Sequence, residues 1–337
     1  MSQALARRPQ VWERLRGQRI LISGGTGFFG QWLTGLLLEA DRTHDLCLSL
    51  RLLTRSPERV RSAMPFVASH PAVSLEHCDL AAFAPADAPA DLVIHAATEA
   101  SATLNTHDPE AMLRTVVDGT RHLLSWAVRH RPRRFLMVSS GAVYGRQPPG
   151  VLRLSEDWMG GPDPLHPDAA YAEGKRLAEQ WCAAVARTHG LDGVVIARPF
   201  ACMGPWLPLD RHFAIGNLMN DVVAGRPLTL QGDGTAIRSY LDGADLAVWL
   251  IVLLLEGTPL RAYNVGSPEA ITLAELQAKM AGLVPGRATR ILQRADPALP
   301  PHRYVPDVRR AVEELGLQPW TSIEDSLAAW QAWLEGH

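Results

Sequence analysis

The amino-acid sequence predicts an α/β fold, a doubly wound parallel sheet followed by a smaller, irregular C-terminal region. Apolar strand-like runs alternate with longer helical stretches before residue 200. A glycine-rich turn joins the first run to the first helix, and prolines and glycines become dense after residue 200. Such alternation favours a parallel sheet covered on both faces, because crossovers between parallel strands are right-handed.

The predicted elements follow from the spacing of apolar residues. The predicted strands are 19–24, 48–55, 73–80, 91–97, 133–140 and 192–200. The predicted helices are 30–40, 108–130, 171–190, 272–284 and 322–336. The apolar run 246–255 predicts a buried helix, since a membrane span needs about 20 residues.

Charge and cysteine content exclude several classes of protein. A net charge of −2 gives no general attraction to nucleic acid or to anionic lipid. The four cysteines are scattered without a C-x-x-C pair, which fits a reducing compartment and predicts neither disulfides nor a metal site. The N-terminus has no apolar segment typical of a secretory signal. We therefore expect a cytoplasmic protein that binds neither nucleic acid nor membrane.

The stretch "LISGGTGFFG" (21–30) stands between a predicted strand and a predicted helix, the context that a dinucleotide site requires. It has two interpretations. One is G-x-G-x-x-G starting at Gly25, and the other is a wider G-x-x-G-x-x-G turn formed by Gly24, Gly27 and Gly30. In either case glycine lets the backbone approach a pyrophosphate at the positive end of the helix.

The end of the second predicted strand bears on that choice. The G-x-G-x-x-G interpretation expects a carboxylate about 20 residues after the turn, where it binds the ribose hydroxyls. The strand ends instead in Thr54 and Arg55. A guanidinium at this place suits the 2′-phosphate of NADP, so NADP is favoured over NAD. The alternative is that Arg55 is a solvated surface residue.

The pair Tyr171 and Lys175, in "YAEGK", carries the chemistry. Residues i and i+4 share one face of a helix, so the phenol and the ammonium point into the same space. A nearby cation stabilises a phenolate and lowers its pKa, which lets the pair move a proton to or from an alcohol. Ser140 ends the predicted strand "FLMVSS" and could orient the reacting oxygen.

With these residues in place, the chain resembles the extended short-chain dehydrogenase/reductases. More narrowly it resembles the NAD(P)-dependent nucleotide-sugar epimerase/dehydratase/reductase family. The resemblance covers roughly residues 17 to 335, and it rests on six motifs in order: "GGTGFFG", "VIHAA", "VSSGAVYG", "YAEGK", "ARPFACMGP" and "GDGTAIRSYLDGADLA". It implies a Rossmann-type NAD(P)-binding domain at 17–200, to which some later segments return, and a mainly substrate-binding region at 201–337.

The resemblance also implies roles for individual residues. The implied catalytic residues are Ser140, Tyr171 and Lys175. The implied cofactor-binding residues are Gly24, Gly27, Phe29, Gly30, Arg55, Asp79, Leu80, Ala96 and Ala97, together with Tyr171 and Lys175. The implied or suggested substrate-binding residues are Ser140, Asn217, Arg238 and Arg294. Arg238 matches the arginine that holds the substrate's diphosphate, and members of the family often form homodimers through two long helices.

Departures from the family pattern narrow the choice of reaction. Ser140 is followed by Gly141 and Ala142, where 4,6-dehydratases have Asp and Glu and decarboxylases usually have Glu at the second position. Both reactions are therefore disfavoured. Val116 and Ala201 replace two asparagines of the family, and Asn217 is a suggested substitute for the second.

What remains is hydride transfer at C4 of a nucleoside-diphosphate hexose. We predict 4-keto-sugar reduction, with NDP-sugar 4-epimerisation by a retained NAD as the alternative. A catalytically silent nucleotide-binding sensor is the non-enzymatic alternative. Five further residues could line a substrate cleft, although a structural role is favoured for each: Glu156, Asp157, His95, His166 and His212.

Overall fold

The computed structural model describes residues 1–97, 102–209 and 213–336; His212 lies outside them. The strands are β1 (Arg19–Ser23), β2 (Ser49–Thr54), β3 (Val73–His77), β4 (Leu92–His95), β5 (Arg134–Val138), β6 (Val194–Pro199), β7 (Cys202–Met203), β8 (Leu228–Leu230), β9 (Ile237–Arg238), β10 (Leu241–Asp242), β11 (Ala262–Val265), β12 (Ile271–Thr272), β13 (Thr289–Ile291) and β14 (Arg303–Tyr304). The helices are α1 (Ser2–Leu5), α2 (Pro9–Trp12), α3 (Phe28–His44), α4 (Pro57–Ala63), α5 (Pro65–Ala68), α6 (Ala102–His107), α7 (Pro109–His130), α8 (Ala170–His189), α9 (Ala214–Val223), α10 (Gly243–Glu256), α11 (Leu273–Leu283), α12 (Arg309–Leu315) and α13 (Ile323–Glu335). Short 3₁₀ helices span Glu13–Leu15 and Gly141–Tyr144.

The central feature is a seven-stranded sheet with the order β11-β6-β5-β4-β1-β2-β3. Strands β1 to β6 pair in parallel wherever they are neighbours. The chain builds the sheet outward from β1 to β3, returns to place β4 on the other side of β1, and then continues to β5 and β6. The prediction of a doubly wound parallel sheet is confirmed. In such sheets ligands bind beyond the carboxyl ends of the strands where the order reverses, here between β1 and β4.

All six predicted strands are present, and each is shorter than predicted. The residues lost from their carboxyl ends lie in the loops that leave the sheet, and they include Gly24, Arg55, Leu80, Ala97 and Ser140. The seventh strand, β11, was missed, because its four residues are flanked by glycine- and proline-rich sequence.

The chain divides into two compact units. Unit 1 comprises residues 1–145, 160–199 and 246–263, and unit 2 comprises 146–159, 200–245 and 264–337. Relative to the sequence-based assignment, unit 1 also takes in the N-terminal 16 residues, and 146–159 belongs to unit 2. The apolar run 246–255 is buried in α10, as predicted. Within the described ranges no helix has the length and apolar character to cross a membrane.

The two longest helices of unit 1, α7 and α8, pack against each other. Gly174 of α8 permits their close approach, since a Cβ there would lie 3.3 Å from Cβ of Val116 on α7. Val116 is fully buried, so the residue that departs from the family's asparagine forms part of this helix contact. Helix α8 ends at Gly190, which adopts the left-handed conformation.

Candidate active site

The glycine turn between β1 and α3 is fixed at its two ends by backbone packing. Gly24 has φ of +74°, and a Cβ there would lie 2.6 Å from the carbonyl carbon of Ala96. At Gly30 a Cβ would lie 2.1 Å from the carbonyl oxygen of Gly24. Both positions therefore require glycine, because backbone atoms cannot move aside as a flexible side chain can.

The middle of the turn is different. Gly27 is the N-cap of α3, and the nearest atom to a Cβ there would be the Gly24 oxygen, at 3.7 Å. The protein leaves space above Gly27, which is what close approach of a phosphate to the backbone needs. At Gly25 a Cβ would meet the end of the Leu52 side chain at 3.1 Å, which can adjust. The geometry thus matches the turn that starts at Gly24, and the residues fit a dinucleotide.

The other residues predicted to bind a cofactor follow the ends of neighbouring strands. Arg55 is exposed after β2, and Asp79 and Leu80 follow β3, the first partly buried and the second buried. Ala96 and Ala97 follow β4, where the Ala97 amide donates to Oγ of Ser23 at 3.2 Å. Phe29 is partly buried in the first turn of α3. Since β3, β2, β1 and β4 are adjacent and parallel, these residues share one edge of the sheet.

The three residues predicted to be catalytic lie together in unit 1. Ser140 caps the 3₁₀ helix after β5 and is 9% exposed. Its side chain is hydrogen-bonded to that of Tyr171, near the start of α8. The Lys175 ammonium lies 6.0 Å from the centroid of the Tyr171 ring and donates to the carbonyl oxygen of Val138 at 2.8 Å. The phenol and the ammonium therefore share one face of α8, as their spacing predicted.

Burial sets the protonation of this group. It lowers the pKa of Lys175 to about 7, and the carboxylate of Glu179 opposes that shift. Burial raises the pKa of Tyr171, and the hydrogen bond from Ser140 opposes that shift only in part, so this pKa is raised rather than lowered as the pairing with Lys175 predicted. Each charged form is disfavoured because it has left water. A lysine that titrates near neutral pH is the type of group found at sites that transfer protons.

Sequence reasoning missed Asn105, which fixes the start of α8. Its Oδ1 accepts from the backbone amide of Tyr171 at 2.8 Å, and its Nδ2 donates to the carbonyl oxygen of Asp168 at 2.7 Å. Helix α8 has no side-chain cap at its own N-cap residue, so Asn105 satisfies a donor that the helix leaves open. No spacing in the sequence connects two positions this far apart.

The histidines and acids considered as further candidates have structural partners. His95 is buried between the hydroxyls of Ser23 (2.7 Å) and Thr120 (3.0 Å), and burial lowers its pKa to about 3. His166 is exposed, and its Nδ1 accepts from the amide of Asp168.

In unit 2, Glu156 accepts from the backbone amide of Asn264 at 2.8 Å. Asp157 pairs with Arg310 at 2.7 Å. Among the residues that the structure describes, no group of three or more metal-binding side chains occurs.

Of the three predicted substrate-binding residues in unit 2, Arg238 is held by hydrogen bonds and the other two are exposed. Arg238, on β9, donates from Nη1 to the carbonyl oxygens of Ile237 (2.9 Å) and His302 (3.0 Å). Burial lowers the pKa of Arg238. Asn217 lies exposed on α9, and Arg294 lies exposed after β13.

Comparison with known proteins identifies the family. The profile of the NAD dependent epimerase/dehydratase family matches residues 20–266. The chain belongs to this family. It is 30% identical to UDP-glucuronic acid decarboxylase 3 of Arabidopsis thaliana over 310 residues, 92% of this chain and 86% of that protein. It is also 30% identical to UDP-glucuronic acid decarboxylase 1 of Danio rerio over 92% of this chain and 71% of that protein.

Solved structures of two other enzymes share the fold. UDP-glucose 4-epimerase of Thermotoga maritima, solved with UDP-glucose, has a TM-score of 0.79 at 18% identity and covers 94% of this chain and 99% of its own. The dTDP-glucose 4,6-dehydratase of Streptomyces venezuelae, solved with NAD, has a TM-score of 0.79 at 24% identity, with 95% and 97% covered. The predicted relation to extended short-chain dehydrogenases is confirmed, and the protein is an enzyme of this NAD-dependent family.

Proposed function

We propose that the protein is an NAD(P)-dependent oxidoreductase that reduces a 4-keto nucleoside-diphosphate hexose at C4. The observation that carries the proposal is the group formed by buried Ser140 and Lys175 and partly buried Tyr171, combined with Gly141 and Ala142 directly after the serine. This group can transfer one proton to or from one oxygen. Gly141 and Ala142 carry no acid or base for the elimination of water across C5 and C6.

The part of each residue follows from its chemistry. The Tyr171 hydroxyl gives its proton to O4 of the sugar as the C4 carbonyl becomes an alcohol, and Ser140 donates a hydrogen bond to the same oxygen. Lys175 stabilises the phenolate that remains, because a cation on the same helix face offsets its negative charge. A bound nicotinamide cofactor supplies the hydride. Solvent then returns the proton to Tyr171.

The cofactor is held by the turn of Gly24, Gly27 and Gly30 at the N-terminus of α3. We propose NADP rather than NAD, because the exposed guanidinium of Arg55 follows β2 where a carboxylate would favour an unphosphorylated ribose. The substrate is a nucleoside-diphosphate sugar, a proposal supported by the UDP and dTDP sugars named for relatives and structural neighbours. Arg238 is proposed to bind its diphosphate, with Asn217 and Arg294 as further contacts.

A homodimer in the cytoplasm is part of the same proposal. The two long helices α7 and α8 support it, since each leaves a large apolar side chain exposed, Leu113 at 38% and Leu177 at 48%. An apolar helix pair of this kind is suited to a second copy.

A second candidate is decarboxylation of UDP-glucuronic acid, which the 30% identity to two decarboxylases favours. A bound NAD would take the hydride from C4 and Tyr171 the proton from O4, which makes C4 a ketone with the C6 carboxylate β to it. The C5–C6 bond breaks, CO2 leaves, the electron pair passes into the ketone as an enolate, and C5 takes a proton. Ala142 therefore weighs less against this reaction than against dehydration, which needs a base and an acid together.

The test compares three substrates with the purified enzyme. They are a dTDP or UDP 4-keto-6-deoxyhexose with NADPH or NADH, UDP-glucuronic acid with NAD, and UDP-glucose with NAD. Mass spectrometry distinguishes reduction, which adds a hydride and a proton, from decarboxylation, which loses CO2. Epimerisation keeps the mass, so proton NMR spectroscopy of the sugar ring detects that product. We expect reduction with NADPH ahead of NADH.

Three outcomes would contradict the proposed reaction. Release of CO2 from UDP-glucuronic acid, with no reduction of the 4-keto-6-deoxyhexose offered separately, supports the second candidate. Epimerisation of UDP-glucose, with NAD retained through purification, supports the epimerase. Cofactor binding without turnover on any of the three sugars supports a sensor.

A further inference from the structure

A largely buried ion pair joins helix α8, which carries Tyr171 and Lys175, to strand β6. Glu179 is on α8, one turn after Lys175, and is 9% exposed. Arg198 of β6 donates to it from Nη2 at 2.6 Å and from Nε at 3.0 Å. Ser139 Oγ donates to the same carboxylate at 2.5 Å. The carboxylate thus connects α8 to β6 and to the residue that immediately precedes Ser140.

Arg198 extends this connection to the other side of Ser140. Its Nη1 donates to Oη of Tyr144 at 2.9 Å, and its guanidinium lies 4.9 Å from the centre of that ring. Tyr144 ends the 3₁₀ helix that Ser140 caps, and it is buried. Ser140 therefore lies in the chain between Ser139 and Tyr144, and each of these two side chains is hydrogen-bonded to one member of the ion pair.

The charged and titratable groups around Lys175 come from several elements. Helix α8 itself contributes Glu179, Tyr171 and Cys182, whose thiol burial keeps protonated by raising its pKa to about 12. Strand β4 contributes His95, which is neutral because burial lowers its pKa. Strand β5 contributes the carbonyl of Val138, and strand β6 contributes Arg198, whose charge is paired with Glu179.

The remaining neighbours leave Glu179 as the main source of negative charge. Helix α7 presents apolar Val116 where it meets α8. After burial, Glu179 has the largest effect on the Lys175 pKa, and it raises it. A buried ammonium needs a compensating anion to stay charged.

We propose that Glu179 is a positioning residue: held by Arg198 and Ser139, its carboxylate keeps the Lys175 ammonium charged and fixes the strand end that presents Ser140. The inference deepens the proposed function, since it concerns the same proton-transfer group. A purely structural ion pair would stabilise the fold and leave the protonation of Lys175 unchanged, so the two roles have different consequences.

The sequence offers a direct measurement of that protonation. The chain has two lysines, Lys175 and Lys279, and Lys279 pairs with Glu324 on the surface of unit 2. Labelling with lysine carrying ¹³C at Cε gives two NMR signals, and a Lys279→Arg background leaves only that of Lys175. A pH titration of this signal reports the Lys175 pKa without substrate or cofactor.

We expect Glu179→Gln to lower the pKa of Lys175 by roughly 1 unit. The matched control is Glu173→Gln, which removes the same charge from the same helix at a partly exposed position paired with Arg176. It should leave the Lys175 pKa unchanged. Glu179→Asp keeps the negative charge, so the Lys175 pKa should stay close to its wild-type value.

Loss of one partner leaves a buried charge unpaired and threatens folding, whereas loss of both is often tolerated. The double variant Glu179→Gln with Arg198→Met therefore serves as a second measurement. It should lower the Lys175 pKa by less than Glu179→Gln alone, because the more distant Arg198 cation is lost together with the carboxylate on the same helix as Lys175. A Lys175 pKa that stays at the wild-type value in the folded double variant overturns the proposal.

Kinetics provide the second readout. Lys175 acts in its protonated form, so reduction is lost as pH rises through its pKa. Glu179→Gln should move this loss to lower pH, and Glu173→Gln should not. Because the titration needs no substrate, a pKa shift without turnover on any sugar contradicts the proposed function alone. Turnover with an unmoved pKa contradicts the role of Glu179 alone.

Discussion

The candidate residues of the two units differ in how firmly the fold holds them. In unit 1, Lys175 is 2% exposed and its ammonium donates to a strand carbonyl, and Ser140 is hydrogen-bonded to Tyr171. In unit 2, Asn217 and Arg294 are exposed on a helix and in a loop. Unit 1 thus presents a preformed group, whereas unit 2 presents side chains whose positions its own packing does not determine.

This difference matters because preorganised groups contribute to the chemical step, while mobile contacts contribute to binding. Substitutions in unit 1 should lower kcat, and substitutions in unit 2 should raise KM. Arg238 is intermediate, since two backbone carbonyls hold its guanidinium. Kinetic constants of variants in each unit therefore test the comparison.

The largest effect is expected for Tyr171→Phe. Removing the hydroxyl removes the proton donor and the group that Ser140 contacts, so kcat for 4-keto-sugar reduction should fall by about 10²–10⁴-fold. Cofactor affinity should change little, because the ring remains. Stopped-flow measurement of nicotinamide absorbance gives the rate of hydride transfer, and a fluorescence titration gives cofactor affinity.

Glu173→Gln is the matched control for Tyr171→Phe, because it alters α8 away from the phenol. A kcat within a few-fold of wild type in Tyr171→Phe would contradict the assigned proton donor. It would also contradict the comparison between the two units, since the preorganised side chains of unit 1 would then not be the ones that react.

The glycine turn sharpens the comparison inside unit 1. Gly24→Ala places a side chain at φ of +74° against the Ala96 backbone, so we expect a loss of at least about 1–2 kcal/mol in the free energy of unfolding. Gly27→Ala meets no atom closer than 3.7 Å and should fold normally. Its methyl group lies where a phosphate would approach, so cofactor Kd should rise about tenfold, or ~1.4 kcal/mol.

Urea unfolding and cofactor titration measure the two glycine effects separately. Gly232→Ala is the control, because its Cβ has open space and its φ is not left-handed. Unchanged cofactor affinity in Gly27→Ala would contradict a pyrophosphate at this turn. Equal destabilisation by Gly24→Ala and Gly27→Ala would contradict the division between packing and ligand space.

Local spacing explains which parts of the site could be predicted. Tyr171 and Lys175 are one helical turn apart, so their common face follows from the sequence alone. The residues that follow β1 to β4 share an edge because parallel strands end together, so alternation of elements was sufficient to group them. The seven-stranded order could not be read completely, since β11 is four residues long in glycine- and proline-rich sequence.

Long-range contacts explain what could not be predicted. Glu179 and Arg198 are separated by 19 residues, and Asn105 and Tyr171 by 66. No periodicity joins such pairs, because they meet only when the helix packs on the sheet. Likewise, the buried roles of His95 and Glu156 depend on hydroxyls and amides that come from other elements.

The smallest effects are expected in unit 2, and Arg238 should differ there from Arg294. Arg238→Ala removes a guanidinium held in place by two carbonyls, so KM for the nucleotide sugar should rise about tenfold with a smaller change in kcat. Arg294→Ala removes an exposed side chain and should raise KM by roughly twofold or less.

Arg238→Lys separates charge from geometry, because an ammonium keeps the charge but lacks the fork that can contact two acceptors and a phosphate together. If Arg238→Lys restores KM, charge alone binds the diphosphate. If Arg294→Ala raises KM as much as Arg238→Ala, an exposed residue binds as strongly as a held one, and preorganisation within unit 2 does not govern substrate affinity.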